Sequence, residues 1–307
     1  MSNVKENTAM RVIAINPRGY CHGVVAAVDI VTRCLEDPTT PRPIYILGMI
    51  VHNRFVVDRF TARGAITLDE PGKTRLELLD RITTGTVIVT AHGASEDVYA
   101  KIREKGLHLI DATCRDVRKT HAEIRQRRQD GYAILFIGKA GHPETEAVLA
   151  SGGVQLVENV ADAASLRLEN LKIFVANQTT FGIRDILPIL DAIRVNHPQA
   201  VIGDEICAST RMRQEAVLAS VKEADFLVVV GDPHSNNTAN LARIGQKTAG
   251  IPTRIVESAA DIDAAWFIDI GCVAVSSGAS TPTDVTAQVI ERLRALLPIR
   301  TDEPEKR

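Results

Sequence analysis

Three cysteines are the residues of this chain whose spacing most clearly indicates chemistry. Cys21, Cys114 and Cys207 are separated by 93 residues and then by 93 again, which suggests a triplicated unit. Three thiolates are one ligand short of a closed structural zinc site and of a fully protein-ligated iron–sulfur cluster. A metal centre held by them would keep one coordination position open, as catalysis requires. The cysteines alone leave both zinc and an iron–sulfur cluster open.

Polar residues recur at similar distances after each cysteine. The first marker lies 31, 28 and 28 residues on, and the second lies 71, 65 and 73 residues on. The first markers are His52, His142 and Ser235, with Asn237 beside the last, and the second markers are His92, Thr179 and Ser280. Histidines, hydroxyls and an amide directed at one cavity suit phosphate groups. Glu144, two residues after His142, is the carboxylate of the set, and we predict that it transfers protons.

Other cysteines and histidines are expected to be inert. Cys34 lies in a segment with helical periodicity and Cys272 in a strand-like segment, positions typical of buried free cysteine. Five histidines lack the full loop placement and are assigned no chemistry: His22, His108, His121, His197 and His234.

Short strands and helices must position the candidate residues. Each residue follows an apolar segment such as TVIVT, AILFI or FLVVV and precedes a helical pattern. Strands that are apolar on both faces suit a parallel sheet covered by helices, and the loops then lie at the carboxyl ends of the strands. We therefore predict an α/β fold of three small parallel-sheet domains in a pseudo-threefold, trefoil-like arrangement around a central metal site.

The repeat also predicts domain boundaries. The three domains are expected at residues 22–114, 115–206 and 207–292, followed by a C-terminal tail at 293–307. The first strand, in residues 10–21, precedes the first cysteine, so the phase of the repeat assigns it to the third domain. Sequence identity between the blocks is negligible, which indicates an architectural repeat.

Composition excludes several classes of protein. The 307 residues are 45% hydrophobic and 24% charged, with a net charge of −2, as in ordinary globular proteins. No apolar segment approaches the ~20 residues of a membrane span, and the first ten residues lack the features of a signal peptide. We expect a cytoplasmic protein with no disulfide framework, no membrane partner and no nucleic-acid partner.

Nine segments together resemble the LytB/IspH family of 4-hydroxy-3-methylbut-2-enyl diphosphate reductases. The likeness spans about residues 11–290, and the segments are PRGYCHGV, LGMIVHN, TAHG, IDATC, GHPE, NQTT, EICAST, GDPHSNN and GAST. The resemblance implies the last step of the methylerythritol phosphate route: reductive removal of the substrate hydroxyl, giving isopentenyl and dimethylallyl diphosphates.

The resemblance also assigns roles to residues. It implies a [4Fe–4S] cluster held by Cys21, Cys114 and Cys207, with an open apical iron that binds the substrate hydroxyl. Glu144 would relay protons and Thr179 would orient that hydroxyl. The diphosphate would be held by His52, His92, His142, Ser235, Asn236, Asn237 and Ser280. Because no flavin or nicotinamide motif is visible, the electrons are expected from a ferredoxin or a flavodoxin.

Two departures from the family pattern and two competing interpretations remain. Arg115 stands where the family usually has proline, and residues 238–240 read Thr-Ala-Asn where Ser-Asn-Arg is common. One alternative is an iron–sulfur dehydratase acting on a phosphorylated substrate without net reduction. The other is a non-catalytic sensor that keeps the cluster. A sensor would be expected to lose Glu144 or Thr179, and both are present.

Overall fold

Three parallel four-stranded sheets form the framework of the protein. The computed structural model describes residues 10–168, 171–203 and 206–296. The predicted α/β fold with three parallel sheets is confirmed. The domain boundaries remain predictions, and most of the predicted tail lies outside the described residues.

The first strand, β1 (Arg11–Ala14), pairs with a strand near the end of the chain and is described with it below. After β1 the chain forms the first sheet. Its strands are β2 (Ile44–Leu47), β3 (Ala65–Leu68), β4 (Thr86–Val89) and β5 (His108–Asp111), in the order β3-β2-β4-β5. Its helices are α1 (His22–Glu36), α2 (Arg54–Ala62), α3 (Arg75–Asp80) and α4 (Glu96–Glu104).

The second sheet repeats this order as β7-β6-β8-β9. Its strands are β6 (Ala133–Ile137), β7 (Val154–Val157), β8 (Ile173–Asn177) and β9 (Val201–Ile202). The helices of this part of the chain are α5 (Arg115–Gln129), α6 (Pro143–Leu149), α7 (Val160–Ser165) and α8 (Ile183–Asn196).

The third sheet has the order β11-β10-β12-β1, so β1 takes the place that β5 and β9 hold in the other sheets. Its other strands are β10 (Phe226–Val230), β11 (Thr253–Val256) and β12 (Cys272–Ser277). The helices here are α9 (Ala208–Ser220), α10 (Asn236–Arg243), which continues as a π-helical segment Ile244–Ala249, and α11 (Thr283–Arg294). Short 3₁₀ turns lie at Val221–Glu223, Ala259–Asp261 and Ala264–Phe267.

Each sheet has a hydrophobic cluster on both faces, which explains why its central strands are apolar throughout. In β4, Ile88 packs with residues of α1 and α2, while its neighbours Val87 and Val89 pack with residues of α3 and α4. All three of these side chains are at most 1% exposed. Helices on both faces of parallel strands leave no polar side to such a sheet.

The chain divides into two compact units. One contains the residues up to Gly19 together with those from Met212 onward, and therefore the third sheet. The other runs from Tyr20 to Arg211 and contains the first and second sheets. Within the described ranges, no helix has the length and apolar character needed to cross a membrane.

Candidate functional site

The predicted site residues occupy equivalent places in the three sheets. His52, His142 and Ser235 each lie five residues after the end of β2, β6 and β10, respectively. The second markers, His92, Thr179 and Ser280, lie two or three residues after the ends of β4, β8 and β12. The cysteines follow β1, β5 and β9. Because all the strands are parallel, these loops are at the carboxyl ends of their sheets, where ligands bind in such folds.

The three cysteines, here called the thiol site, all begin helices within the unit from Tyr20 to Arg211. Cys21 and Cys114 are the N-caps of α1 and α5, and Cys207 immediately precedes α9. The Cys21 sulfur accepts a hydrogen bond from the Val24 amide at 3.5 Å. The Cys207 sulfur accepts one from the Thr210 amide at 3.4 Å. Helix N-termini with free amides favour the thiolate form that metals bind.

Gly23 leaves room for the sulfur atoms. A methyl group at Gly23 would lie 2.5 Å from the Cys114 sulfur and 3.9 Å from the Cys21 sulfur. Any side chain at this position would therefore fill the space beside two thiols. The sequence Cys21-His22-Gly23 shows the glycine, but only the folded structure shows that it keeps space free beside the two sulfur atoms.

Burial opposes ionisation of these thiols. It raises the pKa of Cys114 to about 11, and the nearby Cys21 contributes to this rise. Burial also raises the pKa of Cys207, again with a contribution from Cys21. Cys21 thus lies close enough to both other thiols to disfavour their ionisation, and a positive metal centre would be needed to hold the three together as thiolates.

His22 links the first turns of the three cysteine-bearing helices, a contact that the sequence interpretation missed. Its Nε2 lies 3.3 Å from Asp116 Oδ2 in α5, and its Nδ1 lies 3.3 Å from Ser209 Oγ in α9. Asp116 and Ser209 each come two residues after a cysteine. Because they hold equivalent positions in the repeat, their proximity could have been predicted from the sequence. Their arrangement fixes the helix N-termini around the thiol site.

His52, His92 and His142, here called the histidine cluster, are brought together in the same unit. The ring centroids of His52 and His92 are 4.5 Å apart, and His142 lies 5.7 Å and 5.6 Å from them. A nitrogen from each ring lies within 4.8 Å of a nitrogen from both others. Such a cluster can receive either an anion, through N–H donors, or a metal ion, through nitrogen lone pairs.

Burial keeps His92 and His142 neutral. It lowers the pKa of His142 to about 3, with further contributions from His52 and Arg75. It holds the pKa of His92 well below its ordinary value, again reinforced by His52 and His142 and by Arg75. His142 Nδ1 accepts a hydrogen bond from the Glu144 amide at 3.2 Å, so the proton of neutral His142 is placed on Nε2. That N–H is a donor for a ligand.

Glu144 and Thr179 form a buried hydrogen-bonded pair. Glu144 is 1% exposed and Thr179 is 4% exposed. The Thr179 amide donates to Glu144 Oε1 at 2.8 Å, and the Thr179 hydroxyl donates to Oε2 at 3.0 Å. The Cys207 amide in turn donates to the Thr179 carbonyl at 3.2 Å. Glu144 is therefore linked to the histidine cluster by its amide, which donates to His142, and to the thiol site by its carboxyl group, through Thr179.

The remaining predicted residues belong to the unit that contains the third sheet. Ser235 is the N-cap of α10, Asn236 and Asn237 are its first two residues, and Ser280 lies between β12 and α11. Ser235 and Ser280 are 3% and 6% exposed, respectively. The loops that carry them are joined where the Gly278 amide donates to the Val230 carbonyl at 2.9 Å. These residues present hydroxyl and amide groups at the N-terminus of a helix, as phosphate binding requires.

The chain is similar to proteins of known activity over nearly its whole length. The profile of the family described as LytB protein matches residues 12–294. A 4-hydroxy-3-methylbut-2-enyl diphosphate reductase of a Geobacillus species is 48% identical, over 94% of this chain and 92% of that relative. The enzyme of the same description from Symbiobacterium thermophilum is also 48% identical, over 92% of this chain and 97% of that relative.

Solved structures show the same likeness. The E-1-hydroxy-2-methyl-but-2-enyl-4-diphosphate reductase of Plasmodium falciparum has a TM-score of 0.85 and 29% sequence identity, covering 92% of this chain and 87% of that one. A second structure, of an (E)-4-hydroxy-3-methyl-but-2-enyl diphosphate reductase described as the terminal enzyme of the non-mevalonate pathway, has a TM-score of 0.65 and 28% identity. It covers 93% of this chain and 99% of that one.

Proposed function

Because the chain belongs to the LytB family, we propose that it reductively removes the allylic hydroxyl of 4-hydroxy-3-methylbut-2-enyl diphosphate. The products are isopentenyl and dimethylallyl diphosphates. The family predicted from the sequence motifs is confirmed, and so is the prediction of a reductase. The observation that carries the proposal is the buried Glu144–Thr179 pair beside three clustered histidines.

The thiol site fits the iron–sulfur cluster that proteins of this family bind. Three soft sulfur ligands converge from three helix N-termini, and Gly23 keeps the space beside them free. We assign Cys21, Cys114 and Cys207 as the ligands of a [4Fe–4S] cluster whose fourth iron has no protein ligand. When bound, such a cluster supplies electrons and a Lewis-acidic iron at the substrate oxygen.

The histidine cluster is the proposed diphosphate site. Neutral His142 offers its Nε2–H, and His52 and His92 each offer one N–H donor in their neutral form. Ser235, Asn236, Asn237 and Ser280 are proposed as further diphosphate ligands, as the family resemblance implies. A diphosphate held away from the reacting bond supplies binding energy that positions the hydroxyl.

Glu144 and Thr179 are the proposed proton-transfer pair. The Thr179 hydroxyl donates to Glu144, so a substrate hydroxyl beside Thr179 can exchange a proton with the carboxyl through it. Thr179 also orients that hydroxyl. Losing hydroxide from an allylic carbon requires a proton for the leaving oxygen, and Glu144 is the carboxyl group placed to provide it.

An anaerobic assay tests the function. Cluster-loaded protein is mixed with the substrate and reduced methyl viologen, and we expect both five-carbon diphosphates. Failure to form either product would contradict the reductase assignment. Product formation without any electron donor would instead favour the dehydratase. Replacing methyl viologen with a reduced ferredoxin or flavodoxin tests the proposed physiological donors.

Glu144→Gln tests the proton-transfer role. Gln retains the acceptor oxygen for Thr179 but cannot deliver an acid proton, so we expect kcat to fall by about 10²–10⁴-fold. KM should change little, because the diphosphate ligands are intact. The control is Glu146→Gln, an exposed carboxylate on the same helix. A Glu144→Gln variant with the wild-type kcat would remove this role and leave the reaction assignment standing.

A further inference from the structure

Arg75 is a charged residue at the histidine cluster that the mechanism above does not use. It is the first residue of α3, after the N-cap Thr74, whose side chain and that of Glu77 form a capping box. Its guanidinium group is half-buried and donates to the Gly93 carbonyl and, at 3.2 Å, to the Thr90 hydroxyl. Thr90 and Gly93 flank His92 on both sides, so Arg75 clamps the loop that carries this histidine.

Arg75 also lies beside the loop of His52. A methyl group at Gly48, which begins that loop, would lie 3.6 Å from Arg75 Nη2. The two loops are joined where the Ala91 amide donates to the Ile50 carbonyl at 3.3 Å. The guanidinium group thus lies between two histidine-bearing loops, and its charge reaches the third histidine, since it contributes to the lowered pKa of His142.

The charge of Arg75 is not neutralised by a direct partner. Throughout the described ranges Arg75 forms no ion pair, and the acidic groups that act on it, Glu146 and Asp69, do so at longer range. An arginine side chain stays protonated in proteins even when burial lowers its pKa. A fixed positive charge in a partly desolvated place attracts anions and repels cations more strongly than the same charge in water.

We propose that Arg75 is a positioning residue that holds the His92 loop and supplies the fixed positive charge of the histidine cluster, so that the cluster takes a diphosphate anion rather than a divalent metal ion. Three histidines with nitrogens within 4.8 Å of one another would otherwise suit zinc. The inference rests on the proposed diphosphate site. It adds the residue that determines whether the histidine cluster binds an anion or a cation.

The test compares two ligands of opposite charge. Pyrophosphate and Zn²⁺ are titrated separately into anaerobic, cluster-loaded protein by calorimetry, and binding at the histidine cluster is identified as the part lost in His92→Gln. For Arg75→Gln we expect pyrophosphate to bind roughly tenfold more weakly and Zn²⁺ to bind several-fold more tightly. A purely structural role would weaken both, and that result overturns the proposal.

Two further variants complete the test. Arg75→Lys keeps the charge but loses the two-donor geometry, so we expect a pyrophosphate affinity between those of wild type and Arg75→Gln. An affinity as low as in His92→Gln would overturn the proposal even if Arg75→Gln does not fold. Arg81→Gln removes an exposed arginine at the end of the same helix, where it pairs with Glu70, and should leave both affinities unchanged. If wild-type protein and His92→Gln bind pyrophosphate equally, the proposed diphosphate site itself is wrong.

Discussion

Burial moves the titratable groups of the two candidate sites toward the same outcome, which is neutrality. It raises the pKa of the thiols Cys114 and Cys207 and lowers the pKa of the imidazoles His92 and His142. As the proposed metal site, the thiol site therefore needs a cationic centre to hold thiolates, whereas the histidine cluster, as the proposed diphosphate site, offers N–H donors to an anion. The two sites thus suit ligands of opposite charge, a cationic metal centre at the thiols and an anion at the histidines.

The depressed pKa of His142 predicts a pH dependence of stability. The unfolded chain binds a proton at His142 below the ordinary pKa of 6.5, but the folded protein does so only near 3. Stability is therefore lost as the pH falls below 6.5, because the unfolded state takes up more protons. Between pH 7 and pH 5 this histidine should cost about 2 kcal/mol of the free energy of unfolding.

Urea unfolding of His142→Gln and wild-type protein checks this prediction. The variant cannot bind the proton, so its unfolding free energy should fall less between pH 7 and pH 5 than that of wild type. The exposed His234 provides the control, since His234→Gln should follow the wild-type pH dependence. Parallel curves for His142→Gln and wild type would contradict the assigned neutrality.

At the residue scale, spacing predicted the candidate residues that the structure brings together but not their neighbours. Cys21 and His52 stand out because their loop positions repeat along the chain, and Glu144 stands out because it lies two residues after a marker histidine. His22 does not, because the residues that follow the other two cysteines are of different types. Arg75 does not, because it lies outside the loops that carry the repeated markers. Arg75 follows an unremarkable capping residue, and only the folded loops bring it beside His92.

At the scale of elements, helix N-termini present the proposed metal ligands, and Arg115 is the departure from the family pattern that bears on them. Arg115 is the first residue of α5, a place where proline is favoured because the amide there has no helical partner. Cys114 before it has φ −58° and ψ 140°, which is the conformation that a following proline requires. The arginine therefore leaves the presentation of Cys114 unchanged and adds an exposed charge.

Arg115→Pro and Arg115→Gln separate charge from conformation. Both remove a positive charge near the thiol site, so both should lower the reduction potential of the bound cluster, by roughly 10–40 mV for a one-electron couple. Only the proline should also stabilise the fold, by about 0.4–1 kcal/mol, because it restricts the unfolded chain. Redox titration and thermal unfolding give the two readouts. Loss of the cluster from Arg115→Pro alone would show that the loop depends on the arginine.

The elements that the sequence reading missed share a physical reason. The strands β3, β7 and β11 lie at the edge of their sheets, and each has a burial pattern mixed with exposed or half-buried residues. Short edge strands of this kind carry a weak apolar signal. The opposite edge strands β1, β5 and β9 were predictable because each precedes a cysteine of the repeat. The central strands β4, β6, β8 and β10 were predictable because both of their faces are covered, which makes them apolar throughout.

At the scale of the whole molecule, the three sheets have equivalent strand orders, and this explains why β1 pairs in the third sheet rather than in the first. The first and second sheets end in β5 and β9, and the third takes β1 from the other end of the chain. The pairing of β1 with the third sheet was predictable, because the first strand precedes the first cysteine of the repeat. It makes the third sheet depend on contacts between residues that are far apart in sequence, such as the pairing of Val12 with Val273.

Ile15→Pro tests that dependence. Ile15 is 3% exposed, and its amide donates to the Val275 carbonyl at 2.9 Å. Proline removes this hydrogen bond and much of the buried side chain, so we expect a loss of roughly 3–5 kcal/mol from the unit that contains the third sheet. Amides of β12 should then exchange with solvent far faster in hydrogen-exchange mass spectrometry, while amides of β4, in the other unit, keep their protection.

Ile15→Val retains the amide and most of the side chain, and should behave as wild type within about 1.5 kcal/mol. Unchanged protection of β12 in Ile15→Pro would mean that the third sheet is stable without its pairing to β1.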